Sequence, residues 1–105
     1  MKPPKNKPVY LAPAREDILD IARYHLEKVG VNSAREITEK IENTINRLTL
    51  FPLMGQTHPD HVLAESGYRK IVITSTYVCV YKVIDEAIYI YRIVNAKTDY
   101  PKLLR

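Results

Sequence analysis

The run Ala87–Val94 (AIYIYRIV) constrains this chain more than any other. Read as a strand, it is apolar on both alternate sets: Tyr89, Tyr91 and Ile93 on one, Ile88, Ile90 and Val94 on the other. β-Branched and aromatic residues fill pleated, half-buried surfaces, and a strand apolar on both faces is a central one covered twice. The chain therefore needs a sheet with this segment inside it. Upstream, Tyr77–Ile84 (YVCVYKVI) reads as a second strand, and the polar pair Asp85-Glu86 between the two as a hairpin turn. Lys70–Thr74 (KIVIT) is a third, β-branched run that ends at Ser75-Thr76. One cover for the two-faced strand is expected from the chain's own helices, the second from a partner protein.

Those helices come from the first half. Pro8–Ala12 (PVYLA) is a short run flanked by prolines and suits an edge strand, where a missing N–H is tolerated. Pro13-Ala14 opens a helix, because proline fits the first turn. Glu16 and Asp17 are expected to favour the positive end of its dipole. Ile18, Ile21, Ala22 and His25 recur at helical spacing, Leu19 and Leu26 widen the stripe, and Gly30 ends it. A second helix starts at Asn32-Ser33, with Ser33 and Glu36 spaced as a capping box. Ile37, Ile41, Ile45 and Leu48 form its apolar stripe, and Phe51-Pro52 stops it. A connection of about three residues makes the helices an antiparallel hairpin. Leu53–Glu65 is expected as a loop. The order is β-α-α-β-β-β, an α+β fold with the hairpin on one face of an antiparallel-rich sheet.

At 105 residues a single domain spanning 1–105 is expected, with residues 1–7 as a loose lead-in. No apolar run approaches the ~20 residues of a membrane helix. The basic N-terminus has no apolar segment behind it, so it does not read as a secretory signal, and a cytoplasmic location is expected. The lone Cys79, inside a strand, reads as a small buried apolar residue; neither metal nor cofactor is expected. Residues 1–66 balance nine Lys/Arg against nine Asp/Glu, so the whole net charge of +4 falls on residues 67–105. That half suits an anionic partner, nucleic acid or an acidic protein segment.

Several stretches together resemble the RelE/ParE superfamily, the toxin halves of bacterial toxin–antitoxin pairs. They are Pro13-Ala14-Arg15-Glu16-Asp17-Ile18, Leu48-Thr49-Leu50-Phe51-Pro52, Pro52-Leu53-Met54-Gly55-Gln56, Gly67-Tyr68-Arg69, Val80-Tyr81-Lys82-Val83 and Ile88–Val94, with Asp99 and Leu103 beyond. The resemblance implies the fold just reached, a type II toxin, and a cognate antitoxin in a hetero-oligomer. RelE-like members cut messenger RNA on the ribosome; ParE-like members are associated with poisoning of DNA gyrase and with plasmid stabilisation. RelE-like nucleases carry an Arg where this chain has Val78, and Arg, His or Tyr where it has Asn95, Ala96 and Lys97. RNA cleavage needs a base, an acid and positive charge on the phosphate. These departures put the chain nearer the ParE branch.

Candidate site residues follow. Arg69, Lys70, Arg92, Lys97 and Tyr100 are expected to bind target or antitoxin, with a structural ion pair as the alternative for Arg92. For the nuclease alternative the catalytic candidates are His58, Asp60, His61, Arg69 and Lys97. Two loop histidines without a third ligand are a weak metal signal. Tyrosines 68, 77, 81, 89, 91 and 100 beside Lys and Arg either stack bases or fill the core.

Overall fold

The computed structural model describes residues 8–105; the lead-in expected at residues 1–7 lies outside them. The order is β1 (Pro8–Tyr10), α1 (Ala12–Lys28), α2 (Val31–Leu48), β2 (Gln56–Thr57), α3 (His61–Glu65), β3 (Arg69–Val72), β4 (Tyr77–Ile84) and β5 (Ala87–Asn95), then a 3₁₀ turn at Tyr100–Leu103. The strands form one sheet in the order β1-β5-β4-β3-β2. β1 pairs with β5 in parallel, and all other pairs are antiparallel. The α+β fold is the expected one.

Helix α1 begins one residue before Pro13, with Leu11 as an extended N-cap. Asp17 therefore lies beyond the first turn and serves a different purpose, described below. Ala14 and Ile21 are buried, whereas Leu19 and Leu26 stay 62% and 50% exposed and do not widen the buried stripe. In α2 the stripe Ile37, Ile41, Ile45 and Leu48 is buried as expected. The capping box does not form: the N-cap is Gly30, which puts Ser33 inside the first turn, and its hydroxyl meets His25 Nδ1 at 2.9 Å.

Gly30 has φ +144° and ψ 179°, a conformation that only glycine adopts without strain. A Cβ there would meet nothing within 4 Å, so alanine would test the backbone alone. Gly30→Ala should lower stability by ~1–3 kcal/mol, read as a lower urea midpoint at unchanged slope.

The sheet departs from expectation in three places. β3 stops at Val72, because Thr74 Oγ1 accepts from the N–H groups of Thr76 and Tyr77 and closes a turn. The stretch expected as a loop holds β2, paired Gln56↔Lys70 and Thr57↔Arg69, and the short α3, capped by Asp60. Across the β4–β5 hairpin, Val80 faces Arg92 but Tyr81 faces Ile90, so Tyr91 is bulged. An extra residue breaks the two-residue alternation. Ile88, Ile90 and Ile93 consequently all enter the core beneath α1 and α2, with Cys79 and Tyr81. Tyr91 and Val94 take the opposite face. The hairpin turn itself lies at Asp85-Glu86 as expected, with φ 49° and 68°, the pair of positive values that a two-residue turn matched to strand twist requires.

The second sheet face is covered by the chain itself at its centre. Leu63 of α3 and Tyr100 close over Val78, Val80 and Val94, which are 2%, 0% and 7% exposed. This corrects the expectation that a partner supplies that cover.

Candidate functional site

On this second face the structure brings together His58, Asp60 and Tyr100, with Lys70 nearby. His58 Nδ1 accepts the Asp60 N–H at 2.9 Å. That fixes the neutral tautomer in which Nε2–H donates to Tyr100 Oη, 2.8 Å away. Asp60 also accepts from Leu63 N–H, and its carboxylate pairs with Arg105, which holds its pKa below the usual carboxylate range. Together these bonds fasten the C-terminal turn over the apolar cluster. Burial, aided by the Lys70 charge and opposed by Asp60, pushes the His58 pKa below its usual 6.5.

The folded state therefore binds this proton less readily than the unfolded chain. Its contribution is complete above pH ~6.5 and is lost as the pH falls towards the lowered folded value, by at most about 1.4 kcal/mol per unit. In His58→Gln the slope of stability over that window should flatten, measured by urea unfolding from pH 7 to pH 5 as wild type and variant side by side.

The other candidates lie apart from this group. His61 points outward and meets Glu65 at 2.9 Å. Lys97 is exposed in the turn after β5, its N–H bonded to Asn95 Oδ1. Arg69, at the start of β3, reaches back to the loop before β2 and donates to the carbonyls of Leu53 and Gly55 and to Thr57 Oγ1. Lys70 pairs with Val80 across the sheet and shares the second face. Arg92 is held by Asp17 of α1 through a bidentate pair at 2.7 and 2.9 Å, the structural alternative raised for it. Asp17 raises the guanidinium above its ordinary pKa. Among the tyrosines, 68 and 91 pack edge to face at 4.9 Å, with Lys82 Nζ 4.2 Å from the Tyr68 ring centre. Such a partly desolvated cation over rings is an internal contact as it stands.

The centre of the face is apolar and buried. Val78 lies where a phosphate-steadying arginine stands in the nuclease pattern, and it is buried among Val80, Val94 and Leu63. His58 is 4% exposed and both its ring nitrogens are occupied. Among the described residues no group of three or more His, Cys, Asp or Glu is arranged to hold a metal ion. Burial pushes the Cys79 thiol up, far from a nucleophile's range. A groove of about 600 Å³ runs between α1 and the ends of β4 and β5, lined by Ile21, Tyr24, His25, Tyr77 and Ile93.

Sequence reasoning missed Asp17, Arg105 and the Tyr81–Gly55 contact, all long-range partners. The capped stretch Asp60–Glu65 did carry a local signal, an N-cap residue three positions before Leu63.

The family described as "ParE toxin of type II toxin-antitoxin system, parDE" matches residues 9–100. No curated protein matches the chain. Solved structures are similar in fold. The chromosomal ParDE TA system from P. aeruginosa has a TM-score of 0.74 at 18% identity, over 90% of this chain and 98% of that one. The YoeB/ParE toxin from Agrobacterium tumefaciens has a TM-score of 0.60 at 19% identity, over 85% and 96%. The toxin–antitoxin complex RelBE2 from Mycobacterium tuberculosis has a TM-score of 0.58 at 20% identity, over 87% and 98%.

Proposed function

Because the chain belongs to the ParE toxin family of type II toxin–antitoxin systems, we propose that it arrests growth by poisoning DNA gyrase. A cognate antitoxin neutralises it by binding in a hetero-oligomer. Such a module works in the cytoplasm and serves plasmid stabilisation. Among the described residues no helix is long and apolar enough to cross a membrane.

The observation that carries this reading is Val78. An apolar side chain sealed under Leu63 and Tyr100 cannot stabilise the charge that develops on a phosphate. His58, bonded to Tyr100 of the same face, has no free nitrogen with which to move a proton. Both observations favour a protein that acts by binding over one that cuts RNA. His58, Asp60, His61, Arg69 and Lys97 therefore have no catalytic part in the proposal. Arg69, Lys70 and Lys97 are proposed as contacts to target or antitoxin. Arg92 and Tyr100 are proposed to support that surface from within.

The test sets purified protein against gyrase supercoiling and against translating ribosomes. Blocked supercoiling with accumulation of cleaved DNA, and intact messages, is the expected result. Rapid message cleavage on ribosomes with gyrase untouched would overturn the proposal in favour of the ribosome-dependent nuclease.

A further inference from the structure

The loop between α2 and β2 turns its apolar side chains outward. Leu50, Phe51, Leu53 and Met54 are 72%, 62%, 67% and 40% exposed. Four large apolar residues in one exposed stretch are uncommon on a surface that stays in water. The loop is nevertheless tightly held. Arg69 donates to the Leu53 carbonyl at 3.3 Å and to that of Gly55. Tyr81 Oη donates to the Pro52 carbonyl at 2.9 Å and accepts the Gly55 N–H at 3.0 Å. A surface fixed in advance loses little freedom when a partner covers it.

Among the described residues the charge beside it has no carboxylate partner. Arg92 has Asp17, and Arg105 has Asp60. Arg69 finds only carbonyl and hydroxyl oxygens, and among the described residues no carboxylate pairs with it. A notch of about 230 Å³ opens next to the guanidinium, walled by Leu53, Thr57, Ala64, Gly67, Tyr68 and Val83. A planar guanidinium fork beside an exposed apolar loop is complementary to a carboxylate flanked by apolar side chains.

We propose that this loop and Arg69 form the docking site for an acidic, apolar segment of the antitoxin. The proposal rests on the reading that the chain has an antitoxin. Nucleic acid fits less well, because its binding surfaces are more polar and strongly basic, and here the loop presents four exposed apolar side chains. A second copy fits less well too. In a self-complementary contact centred on this site, Arg69 would lie against the Arg69 of the second copy, like against like.

The experiment uses the full chain with the product of the neighbouring reading frame, and measures Kd by titration calorimetry. The variant Phe51→Ser with Leu53→Ser changes only exposed side chains; circular dichroism confirms its fold. Its affinity should fall at least roughly thirtyfold, the loss expected at a hot spot. Arg69→Lys, which keeps the charge but not the fork, should also weaken binding, and urea unfolding separates that from loosening of the loop. Unchanged affinity in the double serine variant overturns the docking site while leaving the antitoxin reading standing. Absence of any complex with the wild type overturns both. Loss of binding to a 20-nucleotide single-stranded RNA, with antitoxin affinity unchanged, would reassign the loop to nucleic acid and overturn the proposal as well.

Discussion

Gly55→Ala should leave the protein marginally folded, with a loss of ~3–5 kcal/mol of the ~5–15 kcal/mol that holds a domain together. A Cβ at this position would stand 2.6 Å from the Lys70 carbonyl oxygen, 2.6 Å from Tyr81 Oη and 2.9 Å from Tyr81 Cε1. None of these neighbours has room to retreat. The Lys70 carbonyl belongs to β3, which is paired on both sides, with β2 and β4. Tyr81 is fully buried beneath the helices. Relief therefore means expelling the loop, and with it the Gly55 N–H and Pro52 carbonyl bonds to Tyr81 and the anchors of Arg69. Tyr81→Phe makes a milder comparison: it keeps the ring and strands one donor and one acceptor, a loss of about 1–3 kcal/mol. Because both changes strike the same contact, the double variant should be less destabilised than the two losses added. Urea midpoints decide this, and a Gly55→Ala midpoint close to that of wild type would refute the packing described for the loop.

The same contact shows where the sequence stops being informative. Tyr81 sits in a run of Val and Tyr that says strand plainly, and the strand is there. Nothing local says that its hydroxyl would find a loop 26 positions earlier. The hairpin at Asp85-Glu86 was legible because both its signals, a polar pair between apolar runs, are adjacent. The bulge at Tyr91 was not. It becomes visible only as a pattern out of phase, and β5 is apolar on both sets, so no phase error shows. The faces assigned to Ile93 and Val94 were wrong for that reason alone. The short elements β2 and α3 were hidden by length, since two and five residues carry too little periodicity to stand out from a loop.

The candidate site was legible by residue type and not by relation. Arg69, Arg92 and Arg105 look alike in the sequence, yet each has a different status in the fold. Arg92 and Arg105 are committed to carboxylates, from α1 and from the cap of α3. Arg69 is committed to backbone oxygens, which orient a guanidinium without neutralising it. The histidine group divides in the same way, since His58 is buried and doubly bonded while His61 faces solvent. Which charges remain available to a partner is a property of the tertiary structure, and sequence spacing carries no trace of it.

Asp17→Ala should cost about 2–4 kcal/mol, more than its place on a helix surface suggests. β1 ends at Tyr10, and its last backbone bond to β5 is Leu11 N–H to the Ile90 carbonyl. Beyond that point the outer edge of β5 would be open. Asp17 closes it: one carboxylate oxygen accepts both the Ile93 N–H at 2.9 Å and Arg92 Nε at 2.7 Å, and the other accepts a second guanidinium bond at 2.9 Å. Removing the partner of a buried charge costs about 3–5 kcal/mol, and the range is lowered here because the two side chains keep 23% and 13% exposure. Asp17→Asn keeps an acceptor for Ile93 but loses the charge, so it should recover about 1 kcal/mol of the loss. Arg92→Met removes the charge from the other side, and in a double-mutant cycle with Asp17→Asn the pair should couple by roughly 1–3 kcal/mol. The loss should also appear locally: hydrogen exchange at the Ile93 amide should accelerate in Asp17→Ala beyond the global change in stability. Equal urea midpoints for Asp17→Ala and wild type would mean that α1 is held against the sheet by apolar burial alone, and that the Asp17–Arg92 pair merely decorates its edge.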